Sequence, residues 1–148
     1  MYKCFFKRFF DIIGALLLLP FLLLEIMILG PIIWFTDRGP VFYNARRAGK
    51  VYKPFKMFKL RSMYLNSPDL KNPDGSTFNS DDDPRVTPIG RIMRKVSLDE
   101  FPQFWNVLIG DMSLVGTRPP TVDEWEKYEM HHRSRLAFKP GLTGMWQV

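Results

Sequence analysis

From Ile12 to Phe35 the chain runs 24 residues with a single charge, Glu25. As a straight helix that run extends about 36 Å at 1.5 Å per residue, enough to cross a hydrocarbon core of about 30 Å. It is too long for the apolar core of a secretory signal, and no small-x-small cleavage site follows it. A chain of 148 residues could hardly surround a helix that is apolar on every face. The run therefore places the chain at a membrane.

Two features weigh against a simple span. Pro20 lies inside the run and cannot donate to the carbonyl of Leu16, so a kink is expected there, and Gly30-Pro31 is a second weak point. The flanks are the other feature. Lys3, Lys7 and Arg8 precede the run, and Arg38, Arg46 and Arg47 follow it. Positive residues favour the cytoplasmic side, and a helix that enters, bends and returns to the same face satisfies both ends. From the residues alone, spanning and re-entrant courses both stay open. Glu25 is costly near the bilayer centre and less so near an interface. Asp11 can pair locally with Lys7 and Arg8, and the N-terminal charges read mainly as an interfacial anchor.

Charge divides the chain. Residues 1–62 hold 11 basic and 3 acidic residues, and residues 63–148 hold 10 basic and 12 acidic. One end suits an anionic, apolar surface and the other suits water. A lone cysteine, Cys4, rules out an internal disulfide framework and a cysteine-based zinc site, and it fits a reducing compartment. Between Val41 and Arg61 stand Arg46, Arg47, Lys50, Lys53, Lys56, Lys59 and Arg61, with no acid among them and Tyr43, Tyr52, Phe55 and Phe58 interleaved. Val41–Tyr43 and Tyr52–Leu60 have strand-like composition. Lys59 and Arg61 alternate with Phe58 and Leu60, so a strand puts both cations on one face. Attachment to anionic lipid, nucleic-acid binding and a pocket for a phosphorylated substrate all suit such a stretch. Lipid contact alone leaves the alternation unexplained.

Asn66 to Asp83 reads as a long exposed loop, with Asp81-Asp82-Asp83 as a solvated acidic turn rather than a metal cluster. Pro84 and Pro88 bracket the entry to a short helix over Ile89–Val96 that carries Arg91, Arg94 and Lys95. Ser97-Leu98-Asp99-Glu100 has the Ser-x-x-Glu form of a capping box. Phe101, Phe104, Trp105 and Leu108 then recur at helical spacing. In this register Asp99 and Glu100 lie at a helix N-terminus, whose positive potential keeps carboxylates ionised. An ionised Asp is a competent nucleophile toward phosphorus, and a neighbouring carboxylate can hold Mg²⁺ beside phosphate oxygens. Acids in a first turn equally serve to stabilise a helix. Arg118 lies in the irregular stretch Gly110–Pro120, held beside Pro119-Pro120 as a phosphate-clamping guanidinium would be. His131-His132 read as surface residues, and Lys139–Gly144 is a turn-rich segment whose role the residues do not disclose.

Taken in order, these segments resemble a known family. Lys7-Arg8 with Asp11 before an apolar run, Gly39-Pro40-Val41-Phe42, Phe58-Lys59-Leu60-Arg61-Ser62-Met63 and Asp83-Pro84-Arg85-Val86-Thr87 all match it. So do Ser97-Leu98-Asp99-Glu100-Phe101-Pro102-Gln103, Asn106-Val107-Leu108, Gly110-Asp111-Met112-Ser113-Leu114-Val115-Gly116 and Lys139-Pro140-Gly141-Leu142-Thr143-Gly144. The chain resembles, from about Lys7 to Val148, the bacterial sugar transferases, the monotopic phosphoglycosyl transferases. The resemblance implies Mg²⁺-dependent transfer of a sugar-1-phosphate from a UDP-sugar to undecaprenyl phosphate, with release of UMP, in the first membrane step of glycoconjugate synthesis. It makes Asp99 the nucleophile of a covalent phosphosugar intermediate and Glu100 the Mg²⁺-holding partner. It assigns Lys59, Arg61, Arg94 and Arg118 to substrate phosphate. It also selects the re-entrant course, at the cytoplasmic face of the inner membrane. Three departures stand out. The family's helix-breaking proline falls four residues later, at the place of Leu24, Thr117 replaces a usual proline, and family members continue beyond Val148.

The expected fold is α+β. A re-entrant N-terminal membrane helix with its flanks (residues 1–38) would precede a cytoplasmic-face catalytic domain (residues 39–148), C-terminally truncated relative to the family. That domain would hold interfacial amphipathic helices and a small β-element around an irregular active-site loop. Membrane lipid is an expected partner, nucleic acid is not, and a homo-oligomer is left open. The competing reading is a non-catalytic module, derived from such an enzyme, that binds anionic lipid or a protein partner.

Overall fold

In the computed structural model, residues 2–70, 72, 73, 78, 80, 83–128 and 137–144 are described. Helix α1 runs from Tyr2 to Asp37 through Pro20 and Pro31. It is followed by strands β1 (Phe42–Ala48) and β2 (Pro54–Leu60), helices α2 (Pro88–Lys95) and α3 (Gln103–Ile109), strand β3 (Ser113–Val115), helix α4 (Val122–Glu126) and strand β4 (Gly141–Thr143). The fold mixes helix and sheet as the α+β expectation required. β1 and β2 form an antiparallel hairpin, and β3 and β4 a short parallel pair.

One stripe of α1 is buried. Asp11, Ala15, Leu22, Glu25 and Ile33 are covered, and Leu18, Ile26 and Leu29 are partly so. The steps of three and four residues between them are those of a single helix face. In its first half, Ala15 packs with Met57, Phe104, Val107 and Met112. In its second half, Ile33 packs with Leu60 and Met93. The other faces expose Phe9, Leu17, Phe21, Leu24, Met27, Ile28 and Phe35, which water would not support. By length and composition α1 could cross a membrane.

Polar contacts pin both ends of α1 to the rest of the chain. Arg8 donates to the carbonyls of Val107 and Leu108 in the last turn of α3, where helical carbonyls lack a full set of partners. Lys7 donates to the Val115 carbonyl at 2.9 Å, and Asp11 accepts from the Ser113 hydroxyl and the Leu114 N–H, each at 3.0 Å. These charges are docking contacts, and not only the interfacial anchor expected. Their partners lie about a hundred residues away in sequence, beyond any local pairing rule. At the other end, Asp37 receives both Arg61 amino groups and the Leu65 N–H.

Two further expectations are corrected. Ser97 does not cap a helix: it takes φ 58° and ψ 23°, and its side chain makes no cap bond. Leu98–Glu100 form one 3-10 turn, and α3 begins only after Pro102. The left-handed backbone at Ser97 turns the hydroxyl away from the N–H groups a capping box would satisfy. A true capping box occurs instead at Thr121 and Glu124, opening α4. Asp83 is likewise no solvated acid. It is fully buried, and Arg85, two residues on, binds both its oxygens while also donating to the carbonyls of Pro68 and Phe78. Asp81, Asp82, His131 and His132 lie outside the described residues.

The Asp83–Arg85 pair gives a stability prediction. Its hydrogen bonds with Arg85, outweighing burial, hold the Asp83 carboxyl below its ordinary value. A depressed carboxylate stabilises the fold above its unfolded pKa of about 3.9 and stops doing so as pH falls through its folded value. Asp83→Asn should lower stability at pH 7 by about 2 kcal/mol, the scale of a charge-assisted bond. Thermal unfolding across pH should show the mutant and parent converging in acid.

Candidate functional site

The hairpin, the 3-10 turn and the segment before α4 converge on one place. Lys59 extends from β2, with its ammonium 2.6 Å from Glu100 Oε1 and 3.8 Å from Asp99 Oδ2. Alternation along β2 explains its direction: Met57 and Lys59 share a face, and Met57 lies in the core beneath the dyad. Arg94, in the last turn of α2, is held by Ser62 Oγ at 3.0 Å and acts electrostatically on Asp99. Arg118 acts on Glu100, and the Gln103 side chain hydrogen-bonds it. A shallow, open cleft lies here, lined by Glu100, Gln103, Arg118, Met57 and Leu142 among others.

The two carboxyls differ electrostatically. Burial pushes Asp99 above its ordinary value, and Glu100 adds to the rise while Lys59 and Arg94 oppose it. Burial would raise Glu100 as well, but the charge and hydrogen bond of Lys59, then Arg118 and Gln103, bring it below its ordinary value. Helix-terminus potential therefore does not set the state of Asp99, since α3 starts beyond it. Burial sets the upward shift, and the ammonium and guanidinium groups around Asp99 partly offset it. The result is an anion pair facing cations, with Glu100 the more firmly charged member.

Of the residues singled out from sequence, Asp99, Glu100, Lys59, Arg94 and Arg118 come together. Arg61 does not join them. Its guanidinium binds Asp37 bidentately, with Nε on the Pro40 carbonyl at 2.7 Å, and it lies over Gly39, where an added Cβ would come 2.8 Å from it. It locks the end of α1 to β2. Among the described residues there is no cluster of three or more potential metal ligands. Glu100 is a hard oxygen donor, and Mg²⁺ needs few such protein ligands because it keeps several waters.

Other positioning residues escaped the sequence reading. Asn106 is fully buried in α3 and acts as a strand neighbour to β2. Its Oδ1 accepts from Phe58 N–H at 2.9 Å and its Nδ2 donates to the Lys56 carbonyl at 2.7 Å, which fixes the backbone on both sides of Met57. Its signal is an amide at a core-facing position among the apolar residues of a helix. The turn-rich segment near the C-terminus supports the Arg118 loop. Gly116 N–H donates to the Thr143 carbonyl, and Gly141 N–H to that of Thr117, each at 2.9 Å. An added Cβ on Gly141 would meet the backbone of Gly116, so only glycine permits this approach.

The sequence profile described as bacterial sugar transferase matches residues 2–148. The chain is 47% identical over 149 residues to the galactosyl transferase CpsE of Streptococcus agalactiae, covering 96% of this chain and 33% of that protein. It is 41% identical to the undecaprenyl-phosphate galactose phosphotransferase of Salmonella typhimurium, over 97% of this chain and 32% of the relative. It is 38% identical to the UDP-glucose:undecaprenyl-phosphate glucose-1-phosphate transferase of Klebsiella pneumoniae, over 97% of this chain and 30% of the relative. The chain thus spans about a third of the length of these relatives.

Proposed function

Because the chain belongs to the bacterial sugar transferase family, we propose that it moves a sugar-1-phosphate from a UDP-sugar to undecaprenyl phosphate. The names of the Salmonella and Klebsiella relatives support that reaction class. The observation that carries it is the Asp99–Glu100 pair held against Lys59 at the edge of an arginine-bearing cleft.

The chemistry follows from these groups. An Asp99 carboxylate oxygen attacks the phosphorus that carries the sugar. A bond forms from that oxygen to phosphorus, and the bond from phosphorus to the bridging oxygen breaks, so UMP leaves with the bridging oxygen and its electron pair. The phosphosugar remains on Asp99 as a mixed anhydride. A phosphate oxygen of the polyprenyl phosphate then attacks the same phosphorus, and the Asp99 carboxylate is expelled and regenerated. Lys59 and Arg94 reduce the repulsion between Asp99 and the incoming diphosphate. Glu100 would hold Mg²⁺, which supplies further charge neutralisation to the diphosphate when bound. UMP release from a panel of UDP-sugars with undecaprenyl phosphate and Mg²⁺ tests the proposal. Absence of UMP with every sugar would remove it.

The reading includes a monotopic, re-entrant placement of α1 at the cytoplasmic face of the inner membrane. Its support is that Asp11 and Asp37, near opposite ends of α1, bind the same body of the protein. A helix that crossed and left would touch that body at one end only. In a Cys4→Ser background, Lys3→Cys and Arg38→Cys should both resist an impermeant thiol reagent in intact spheroplasts and both react in inverted vesicles. Reaction of the two positions from opposite sides would exclude the re-entrant course.

A further inference from the structure

The hairpin edge beside the cleft carries a cation that the proposed reaction has not used. Arg47 lies near the end of β1, paired with Phe55 of β2 and bridged to Thr121 on its other side. The next residue, Ala48, donates its N–H to the Pro120 carbonyl at 3.0 Å. β1 is thereby fixed against the short rigid segment that begins with Arg118. The two guanidiniums repel each other across this junction: burial lowers the pKa of Arg47 and the charge of Arg118 lowers it further.

Arg47 is held there with hydrogen-bonding capacity unmet. Its Nε is buried and has no partner among the described residues. The anions within its electrostatic reach are Glu124 and Glu100. Each is already engaged: Glu124 accepts from Thr121 N–H in the capping box, and Glu100 binds the Lys59 ammonium. A buried donor left without an acceptor is costly, and such groups in a fold call for an explanation. Two guanidiniums on segments joined by backbone bonds, Arg118 lining the cleft and Arg47 with an open donor, form a receptor for an oxyanion with several acceptor atoms.

We infer that Arg47 and Arg118 together grip a phosphate group of the substrate, with Arg47 supplying Nε–H to a phosphate oxygen. The inference rests on the transferase reading above and adds a residue to it. Arg47 has a second anchor that Lys59 lacks: the β1–Thr121 bridge sets its distance from Arg118 through backbone. The phosphate can belong to the nucleotide or to the polyprenyl lipid, and both present the same oxygens.

Calorimetric titration of the full chain in detergent micelles, with UMP and separately with a short-chain polyprenyl phosphate, distinguishes the two sources. Arg47→Gln should weaken one of them at least tenfold, and the ligand affected names the phosphate. Arg47→Lys, which keeps charge but not the planar fork, should also bind more weakly. Arg46→Gln, at an exposed neighbouring position, should bind as the parent does. Unchanged affinity of Arg47→Gln for both ligands would overturn the inference. If that variant unfolds, unchanged affinity of a folded Arg47→Lys for both would overturn it equally. A parent chain that binds neither ligand would overturn the transferase reading itself, and the inference with it.

Discussion

Asp99→Asn should remain folded, form no phosphosugar adduct, and release UMP at least about a thousandfold more slowly than the parent, as loss of a covalent nucleophile does elsewhere. The fold should survive for a specific reason. Burial already disfavours the charged form of Asp99, so a neutral amide of the same shape removes a charge that was costly to bury. Lys59 loses a partner at 3.8 Å and keeps Glu100 at 2.6 Å. The chemistry has no such reserve, because an amide oxygen cannot form and then release the mixed anhydride. Asp99→Glu keeps the charge but moves it by one methylene, and in-line attack tolerates roughly 1 Å of misplacement poorly, so it should be nearly inactive too. Intact-mass spectrometry after incubation with a UDP-sugar and Mg²⁺, without lipid acceptor, reads the adduct directly. A folded Asp99→Asn chain with near-parental UMP release would defeat the covalent assignment.

Composition and periodicity made some elements legible and misled at others. α1 was evident because 24 nearly uncharged residues admit few fates. α2 is legible in Pro84 and Pro88 at its entry, and the structure adds the Thr87 cap on Gly90 N–H, with Pro88 opening the helix where no N–H is needed. Val41–Tyr43 and Tyr52–Leu60 read as strand-like pieces, and the structure pairs them as a hairpin whose first strand runs Phe42–Ala48 and whose second begins at Pro54 and not at Tyr52. Val51 and Tyr52 take left-handed backbone, and Tyr52 stacks on Trp125 at 5.3 Å, a tertiary contact no local pattern encodes. β3 and β4 are three residues each and pair across a long stretch of chain, so neither had a periodic signal. The dyad and its cations were recognised through motif resemblance. The electrostatics differ from the capping-box expectation: burial raises Asp99, and Lys59 and Arg94, not a helix terminus, offset part of that rise. Arg47 was visible only as one of seven basic residues. Its unmet donor depends on where β1 meets the loop after Arg118.

Lys59 and Arg61 alternate on β2, and mutation should separate them. Arg61→Ala should destabilise the chain by about 3 kcal/mol, the low end of the range for stripping one partner from a buried ion pair. Arg61 is 7% exposed and Asp37 somewhat more, so solvent partly relieves the orphaned carboxylate. Removing the guanidinium also leaves the Pro40 carbonyl without its donor and empties the space over Gly39. For a chain of this size, 3 kcal/mol corresponds to a fall of about 6–12 °C in the unfolding midpoint. Lys59→Ala should also lower the midpoint, because it leaves Asp99 and Glu100 without their cation, and it should differ from Arg61→Ala by a severe loss of turnover per folded molecule. Asp37→Asn should reproduce the Arg61 effect in part, because the amide can still accept one of the two hydrogen bonds. Midpoints in detergent micelles, measured beside UMP release per folded molecule, separate the two roles. An Arg61→Ala chain with the parental midpoint and no turnover would return Arg61 to the substrate site and break the proposed lock between α1 and the hairpin.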